Sequence, residues 1–212
     1  MTLSSKLLLD QYSDYAHSCR IQRRPAWGTC AGLIFLAESA NRTKQGGQDL
    51  IGGLDVRVNR NHFGRQTESF ITDLDLPFLN DAETGVPGQP FQGIFIRAPI
   101  VERILPTVVG EQVEESKRED TVIAPSRTAQ DPHALKNINA PVEVMATLPD
   151  RTTRLPAEAS QLVIDPEAGD IIAVRQGNVF GTSFHPELTQ DPRLHVWWLQ
   201  QVVRAVLNRK GG

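Results

Sequence analysis

The sequence predicts an α/β layer fold in a single domain. Short apolar runs with strand character alternate along the chain with runs whose apolar residues recur at helical spacing. Glycine- and proline-rich stretches separate these runs and mark turns. The chain has 212 residues, 40% of them hydrophobic, which suits one compact domain with its own core. We therefore expect one domain over residues 1–212.

The N-terminal quarter of the chain is predicted to form helix, strand, helix, loop and strand. Ser4 to Arg20 has the spacing of a short amphipathic helix, and a short strand is expected at Pro25 to Gly28. A helix is predicted from Ala31 to Ala40, followed by a polar, glycine-rich loop over Asn41 to Gly53. Leu54 to Val58 alternates apolar with polar residues, which predicts a strand with one buried face.

The middle of the chain holds two further strands on either side of a polar segment. One strand is predicted over Phe91 to Arg97, where Pro99 closes it, and the other over Pro141 to Leu148. Residues 106–140 are polar and charged between them, and include the run EQVEESKRED at 111–120. We predict a flexible, solvated insertion over 106–140.

The C-terminal quarter predicts a hairpin followed by a helix. Ile171 to Gln176 and Val179 to Phe184 have strand character and flank Gly177-Asn178, which is a two-residue hairpin signal. Asp191 suits the N-cap of the last helix and Pro192 its first position. The apolar residues that follow recur at helical spacing: Leu194, Trp197, Trp198, Val202 and Val206.

Composition excludes several classes of function. The formal net charge is −3 and no basic stripe with interleaved aromatic residues occurs, so we expect no nucleic-acid partner. No apolar run approaches the ~20 residues that span a bilayer, and the first ten residues lack the pattern of a signal peptide. Only Cys19 and Cys30 are cysteines, which indicates a reducing compartment. We expect a cytoplasmic protein with no membrane association.

The strongest local signal is the sequence GTCAG from Gly28 to Gly32, between a predicted strand and a predicted helix. A nucleophile elbow has this layout, because the sharp turn strains the nucleophile and small residues two positions away relieve crowding. The helix N-terminus favours the Cys30 thiolate, and the N–H of Ala31 is placed to donate to an oxyanion. The alternative is that Cys30 is a small buried residue beside a glycine-rich turn. Five residues alone leave both interpretations open.

A second signal, FHPE, occupies residues 184–187. A cysteine nucleophile needs a base, which His185 can provide, and an acceptor that orients that base, which Glu187 can provide. The alternative is a loop histidine beside a solvated glutamate. The order nucleophile, histidine, acid argues against α/β-hydrolases, in which the acid precedes the histidine. The order fits class I glutamine amidotransferases.

Within that superfamily the chain resembles the glutaminase subunit of pyridoxal 5'-phosphate (PLP) synthase over most of its length. The resemblance is carried by PAWGTCAGLIFLAES at 25–39, RNHFGRQ at 60–66, FIRAP at 95–99 and GTSFHPELT at 181–189. RNHFGRQ and FIRAP are more specific than the other two, and argue against an amidotransferase that serves another pathway. The resemblance implies a class I glutamine amidotransferase-like, flavodoxin-like three-layer fold with a mixed, mostly parallel sheet.

The resemblance also implies a reaction and a partner. Cys30 would attack the side-chain amide of L-glutamine, His185 would act as base and then acid, and Glu187 would orient His185. The positions that contact glutamine in the family are here Arg60, Ile96 and Arg97. Ammonia would pass to a separate PLP synthase subunit, and this chain would hold no cofactor and no metal.

The chain departs from the family pattern at its start. Family members begin with a strand, a helix and a second strand that ends in a G-G-E-S loop, and Met1-Thr2-Leu3 aligns after that loop. We therefore expect the first strand–helix–strand unit to be lacking. In the family this loop contacts glutamine and supplies one oxyanion-hole N–H, whose loss typically lowers turnover ~10²–10³-fold. Two alternatives follow: an active glutaminase, or a catalytically impaired short form that acts as a binding or regulatory subunit of PLP synthase.

Overall fold

A computed structural model of the chain describes residues 24–42, 49–60, 69–80, 88–108, 110–125, 132–148 and 170–210. Within these residues it contains ten strands, four helices and two short 3₁₀ turns. The strands are β1 (Ala26–Thr29), β2 (Ala37–Asn41), β3 (Leu54–Asn59), β4 (Ser69–Leu74), β5 (Phe91–Ile96), β6 (Ile100–Ile104), β7 (Thr121–Ile123), β8 (Val142–Thr147), β9 (Ile171–Gln176) and β10 (Val179–Thr182). The helices are α1 (Ala31–Leu36), α2 (Val113–Ser116), α3 (Pro132–Ile138) and α4 (Arg193–Lys210), and the turns are Pro77–Leu79 and Pro186–Leu188.

The main sheet is mixed, which confirms the predicted α/β class. Its strand order is β1-β10-β9-β6-β3-β2-β7, with β8 also paired to β9, while β4 and β5 form a separate two-stranded sheet. In the described residues only β1–β10 and β2–β3 are parallel pairs, so antiparallel neighbours outnumber parallel ones and the sheet is not mostly parallel as predicted. For β9 and β10 the reason is local, because the two-residue turn at Gly177-Asn178 can join only antiparallel strands.

The helix predicted over Ala31 to Ala40 is shorter than expected. Helix α1 ends at Leu36, and the chain continues directly into β2. Two polar side chains of β2 are buried and bound: Glu38 accepts a hydrogen bond from the Gly53 N–H at 2.8 Å, and Ser39 accepts one from Arg57 at 3.0 Å. These contacts, together with pairing to β3 and β7, outweigh the local preference for helix.

Strand β3 is buried on both faces, although its alternating pattern predicts one buried face. Its polar residues point into the protein, where each has a partner. Asp55 accepts hydrogen bonds from Gln176 at 2.5 Å and from Thr107 at 2.8 Å. Arg57 forms an ion pair with Glu115 at 2.8 Å. Buried polar groups of this kind are tolerated only when they are hydrogen-bonded.

Part of the segment predicted as a solvated insertion is built into the fold. Strand β7 pairs with β2, and the side chain of Glu115 in α2 is buried. Its carboxylate binds Arg57, Ser39 and Arg103. Burial acts to raise the pKa of Glu115, but the hydrogen bonds from Ser39 and Arg57 and the charge of Arg103 outweigh it and lower that pKa. The polar run at 111–120 therefore supplies a structural ion pair, which corrects the prediction for residues 113–123.

Three other predictions are confirmed. β5, β8, β9 and β10 lie where strands were expected, although β6 follows Pro99 without having been predicted. Gly177 adopts a φ of 57° in the hairpin turn. Asp191 accepts a hydrogen bond from the Arg193 N–H at 3.0 Å, as an N-cap does, although the helix begins at Arg193 and Pro192 precedes it instead of taking its first position. The helix expected over Ser4 to Arg20 lies outside the described residues.

Helix α4 packs against strands β1 and β10. Its buried Leu194 and Trp197 belong to a core cluster that also contains Phe180 of β10. The ring of Trp27 in β1 lies tilted against the ring of Phe180, with the ring centroids 5.6 Å apart. This cluster fixes β1 against β10 and so positions the residue that follows β1. Where the structure describes the chain, no helix is both long enough and apolar enough to cross a membrane.

Candidate functional site

Cys30 and His185 lie at the same edge of the sheet. β1 and β10 are parallel and adjacent, with Thr29 opposite Thr182, so their carboxyl ends meet at that edge. Cys30 follows β1 directly, and its backbone N–H donates to the carbonyl of Thr182 at 2.8 Å. His185 comes three residues after β10. The strand pairing thus brings together two residues that are 155 positions apart in the sequence (185 − 30).

Cys30 stands at a strained turn between β1 and α1. Its φ is 47° and its ψ −104°, a conformation that residues with a side chain rarely adopt. A Cβ at Gly28 would lie 2.4 Å from the carbonyl carbon of Gly32, so the predicted crowding is confirmed at Gly28. A Cβ at Gly32 would meet nothing within 4 Å, so the prediction is wrong for that glycine.

We expect the two glycines of the turn to differ in how their replacement by alanine changes the stability of the protein. We expect Gly28→Ala to lower the free energy of unfolding by roughly 1–3 kcal/mol, because backbone atoms cannot move aside as a flexible side chain can. Gly32→Ala is the matched control and should leave stability unchanged or raise it, since alanine favours helix over glycine. Urea unfolding of both variants measures the difference. Equal stabilities would contradict the observed turn geometry.

His185 is held by contacts to its ring and to its backbone. Its Nδ1 lies 2.7 Å from Oε1 of Glu187, across the 3₁₀ turn Pro186–Leu188. Its backbone N–H donates to the carbonyl of Ile94 in β5 at 2.8 Å. The His185 side chain is 20% exposed and that of Glu187 48% exposed, so the carboxylate is the more solvated partner. A proton on Nδ1 shared with Glu187 leaves Nε2 as the nitrogen able to accept a proton.

The surroundings of the Cys30 sulfur favour its thiol form over the thiolate. Burial raises its pKa, a hydrogen bond from the Ala31 N–H lowers it, and the negative charge of Glu187 raises it, with burial the largest effect. The helix N-terminus therefore does not produce the predicted preference for thiolate. The thiol also donates to the carbonyl of Ile96, with Sγ and O 3.9 Å apart. A base close to the sulfur would therefore assist its ionisation.

This pKa shift predicts the pH dependence of alkylation. In a Cys19→Ser background, the rate of Cys30 modification by iodoacetamide should rise with pH through a midpoint above the ~8.5 of an ordinary cysteine. Glu187→Gln should move the midpoint down, because it removes a negative charge that disfavours thiolate. A short peptide containing Cys30 is the control. A midpoint in the protein below that of the peptide would contradict the assigned effect of burial.

The predicted substrate-binding residues lie around the junction between β3 and β6. Arg60 directly follows β3, is buried, and donates from its backbone N–H to the side chain of Asn41 at 2.7 Å. Burial lowers the pKa of its guanidinium. Asn59 pairs with Ile100, which places Arg60 opposite the link that joins β5 to β6. Arg60 and the FIRAP segment therefore flank one junction.

Ile96 and Arg97 lie closer to the nucleophile. Ile96 ends β5, and its carbonyl is the group that the Cys30 thiol contacts. Arg97 is exposed and adopts a φ of 47°. Sequence reasoning missed the carbonyls of Ile94 and Thr182, which hold His185 and Cys30. Main-chain groups of this kind leave no signal in a sequence. In the described ranges, no group of three or more His, Cys, Asp or Glu residues is placed to hold a metal ion.

Comparison with known families gives one extended match. The sequence profile of the SNO glutamine amidotransferase family matches residues 3–130 and 134–204. The match includes the turn at Cys30, the FIRAP segment and the FHPE sequence. It therefore covers every element that forms the site.

Individual relatives agree with that profile. The chain is 37% identical over 182 residues to a probable pyridoxal 5'-phosphate synthase subunit, PDX2, of Arabidopsis thaliana, covering 84% of this chain and 57% of the relative. It is 37% identical to the pyridoxal 5'-phosphate synthase subunit PdxT of Nocardia farcinica, covering 99% and 68%. A crystal structure of a glutamine amidotransferase superposes with a TM-score of 0.53 at 30% identity, covering 90% of this chain and 67% of that one. The chain thus spans a little over half the length of the Arabidopsis relative.

Proposed function

The chain belongs to the SNO glutamine amidotransferase family, and from this premise we propose that it hydrolyses L-glutamine to glutamate and ammonia. The observation that carries the proposal is the shared sheet edge, where the strained Cys30 and the Glu187-bound His185 follow adjacent parallel strands. A nucleophile, a base and an acceptor that orients the base are the three parts such a reaction needs.

The proposed reaction runs in two halves. His185 takes the proton from the Cys30 sulfur as that sulfur attacks the side-chain carbonyl carbon of glutamine, and the carbonyl oxygen becomes an oxyanion. The C–N bond then breaks, and His185 returns the proton so that ammonia leaves and a glutamyl thioester remains. Water, deprotonated by His185, attacks the thioester, which releases glutamate and restores the thiol. Glu187 accepts a hydrogen bond from the Nδ1–H of His185 throughout and stabilises the charged form of His185.

The remaining site residues would bind the substrate. The Ala31 N–H, which already hydrogen-bonds the sulfur, is a candidate donor to the oxyanion. Arg60 and Arg97 flank the β3–β6 junction and carry guanidinium groups that can bond both oxygens of the α-carboxylate of glutamine. The Ile96 backbone lies against the sulfur and would contact the substrate amide.

The partner follows from the relatives. Two of them are named as subunits of pyridoxal 5'-phosphate synthase, which places their chemistry within a larger assembly. We propose that this chain likewise passes its ammonia to a PLP synthase subunit for vitamin B6 biosynthesis. Ammonium has no lone pair and is not a nucleophile, so release of ammonia beside the consuming site favours its capture before it is protonated.

Glutamate release tests the proposal. The chain should release glutamate from glutamine, and adding a PLP synthase subunit should increase the rate, whereas asparagine should not be hydrolysed because its side chain is one methylene shorter. A coupled glutamate dehydrogenase assay measures the rate. Binding to the synthase with no glutamate release would reject catalysis and support the alternative of a binding or regulatory subunit. Release without any effect of the synthase would reject the proposed partner.

A further inference from the structure

Two residues with strained backbone conformations lie at the nucleophile. Among the described residues other than glycine, only Cys30 and Arg97 have a positive φ, 47° in each case. They are joined by one contact, since the Cys30 thiol donates to the carbonyl of the peptide that links Ile96 to Arg97. A left-handed conformation is unfavourable for a residue with a side chain, and such strain often lies at functional sites. At Cys30 the elbow accounts for the strain, whereas at Arg97 the site as described gives no reason for it.

The orientation of this peptide opposes the proposed reaction. A carbonyl oxygen beside Cys30 accepts a hydrogen bond from the thiol but repels both a thiolate and an oxyanion. Burial of the sulfur acts in the same direction, because it too favours the neutral thiol. The described conformation therefore suits a resting site better than a reacting one.

Rotation of the Ile96–Arg97 peptide would relieve the strain at Arg97 and would turn the carbonyl oxygen away from the Cys30 sulfur. Turning it by half a turn changes only the ψ of Ile96 and the φ of Arg97, and would move that φ from 47° to about −130°, out of the left-handed region. The same rotation replaces the carbonyl facing Cys30 with the backbone N–H of Arg97. We propose that the Ile96–Arg97 peptide rotates when glutamine binds, and that the Arg97 N–H then donates to the oxyanion. This inference rests on the proposed function and adds an oxyanion donor to it.

The surroundings allow the movement. Ile96 is the last residue of β5 that pairs with β4, and both Ile96 and Arg97 are exposed, so among the residues that the structure describes no core side chain has to move. Two residues earlier, the Ile94 carbonyl holds the backbone of His185, which keeps β5 and the base in place while the next peptide turns. The rotating unit thus lies between a fixed strand and the three-residue link into β6.

A pair of substitutions at one position tests the proposal. Arg97→Ala and Arg97→Gly both remove the guanidinium, and both keep the backbone N–H. Only glycine tolerates the positive φ of the resting state without strain. We expect kcat for glutamine hydrolysis to be roughly 5- to 30-fold lower in Arg97→Gly than in Arg97→Ala, because glycine stabilises the resting orientation. The Tm of the glycine variant should be equal to or higher than that of the alanine variant.

The two measurements together separate this mechanism from simple loosening of the chain. A glycine variant with kcat equal to or above that of the alanine variant would overturn the proposal. A lower kcat accompanied by a lower Tm would also overturn it, since added flexibility would then explain the loss. If the unmodified chain hydrolyses no glutamine, the proposed function is rejected, and the proposed rotation is rejected with it because it rests on that function.

Discussion

Replacing Cys30 with alanine is expected to abolish glutamate release, with a loss on the order of 10⁴- to 10⁶-fold in kcat. Without the sulfur no thioester can form, and the remaining groups can only polarise the amide. The fold should persist, because Cys30 is held by its backbone bond to Thr182 and its side chain is small. The rate of glutamate release in the presence of the synthase subunit measures the effect.

Two controls make that result specific. Cys19→Ala changes the other cysteine, which has no glycine-flanked setting, and should leave the rate close to that of the unmodified chain. Equal Tm values for Cys30→Ala and the unmodified chain would show that loss of folding is not the cause. Glutamate release by Cys30→Ala at more than about a hundredth of the normal rate would contradict a nucleophilic role.

Replacing Glu115 with alanine is expected to have the largest effect on stability, about 3–5 kcal/mol. Glu115 is 2% exposed and is the buried one of two carboxylates that pair with Arg57, the other being the more exposed Glu102. Removing it leaves a buried guanidinium without that counter-charge and breaks a network that joins β2, β3, β6 and α2. Urea unfolding monitored by circular dichroism measures the change.

The preceding residue provides a matched control. Glu114 lies in the same helix, but its side chain is 84% exposed and pairs with Lys117 at the surface. Glu114→Ala should change stability by less than about 0.5 kcal/mol. Comparable losses in the two variants would show that the buried ion pair does not stabilise the fold.

The same carboxylate predicts how stability depends on pH. Because the pKa of Glu115 is lowered in the folded protein, its contribution is fully present above its unfolded pKa of ~4.3 and is lost as the pH falls through the folded value. The difference in stability between the unmodified chain and Glu115→Gln should therefore shrink in acid. A difference that grows as the pH falls would contradict this sign.

Features with a local signal could be predicted from the sequence. The Gly177-Asn178 turn, the Asp191 cap and the strand-to-helix turn at Cys30 depend on residues within a few positions of one another. The chemistry that each motif suggested predicted that Cys30 and His185 belong to one site, and the pairing of β1 with β10 places both after adjacent strands at one edge. The GTCAG and FHPE sequences therefore indicate the candidate site without knowledge of the fold.

Features that depend on distant partners could not be predicted. The early end of α1 at Leu36 depends on buried partners of β2 that lie elsewhere in the chain. The run at 111–120 looked solvated because its charges are numerous, yet Glu115 finds three cationic or hydroxyl partners from other elements. The Ile96 carbonyl at the sulfur is a main-chain group, and the burial that raises the Cys30 pKa is a property of the folded site.

Covalent labelling with a diazoketone analogue of glutamine tests the central claim most directly. The analogue is attacked at the position where the amide would react and stays attached to the attacking atom. We expect peptide mass spectrometry to find the label on Cys30, glutamine to protect against it, and His185→Asn to slow it greatly. Label on another residue, or label on Cys30 that glutamine does not reduce, would contradict the assignment of this sulfur as the nucleophile.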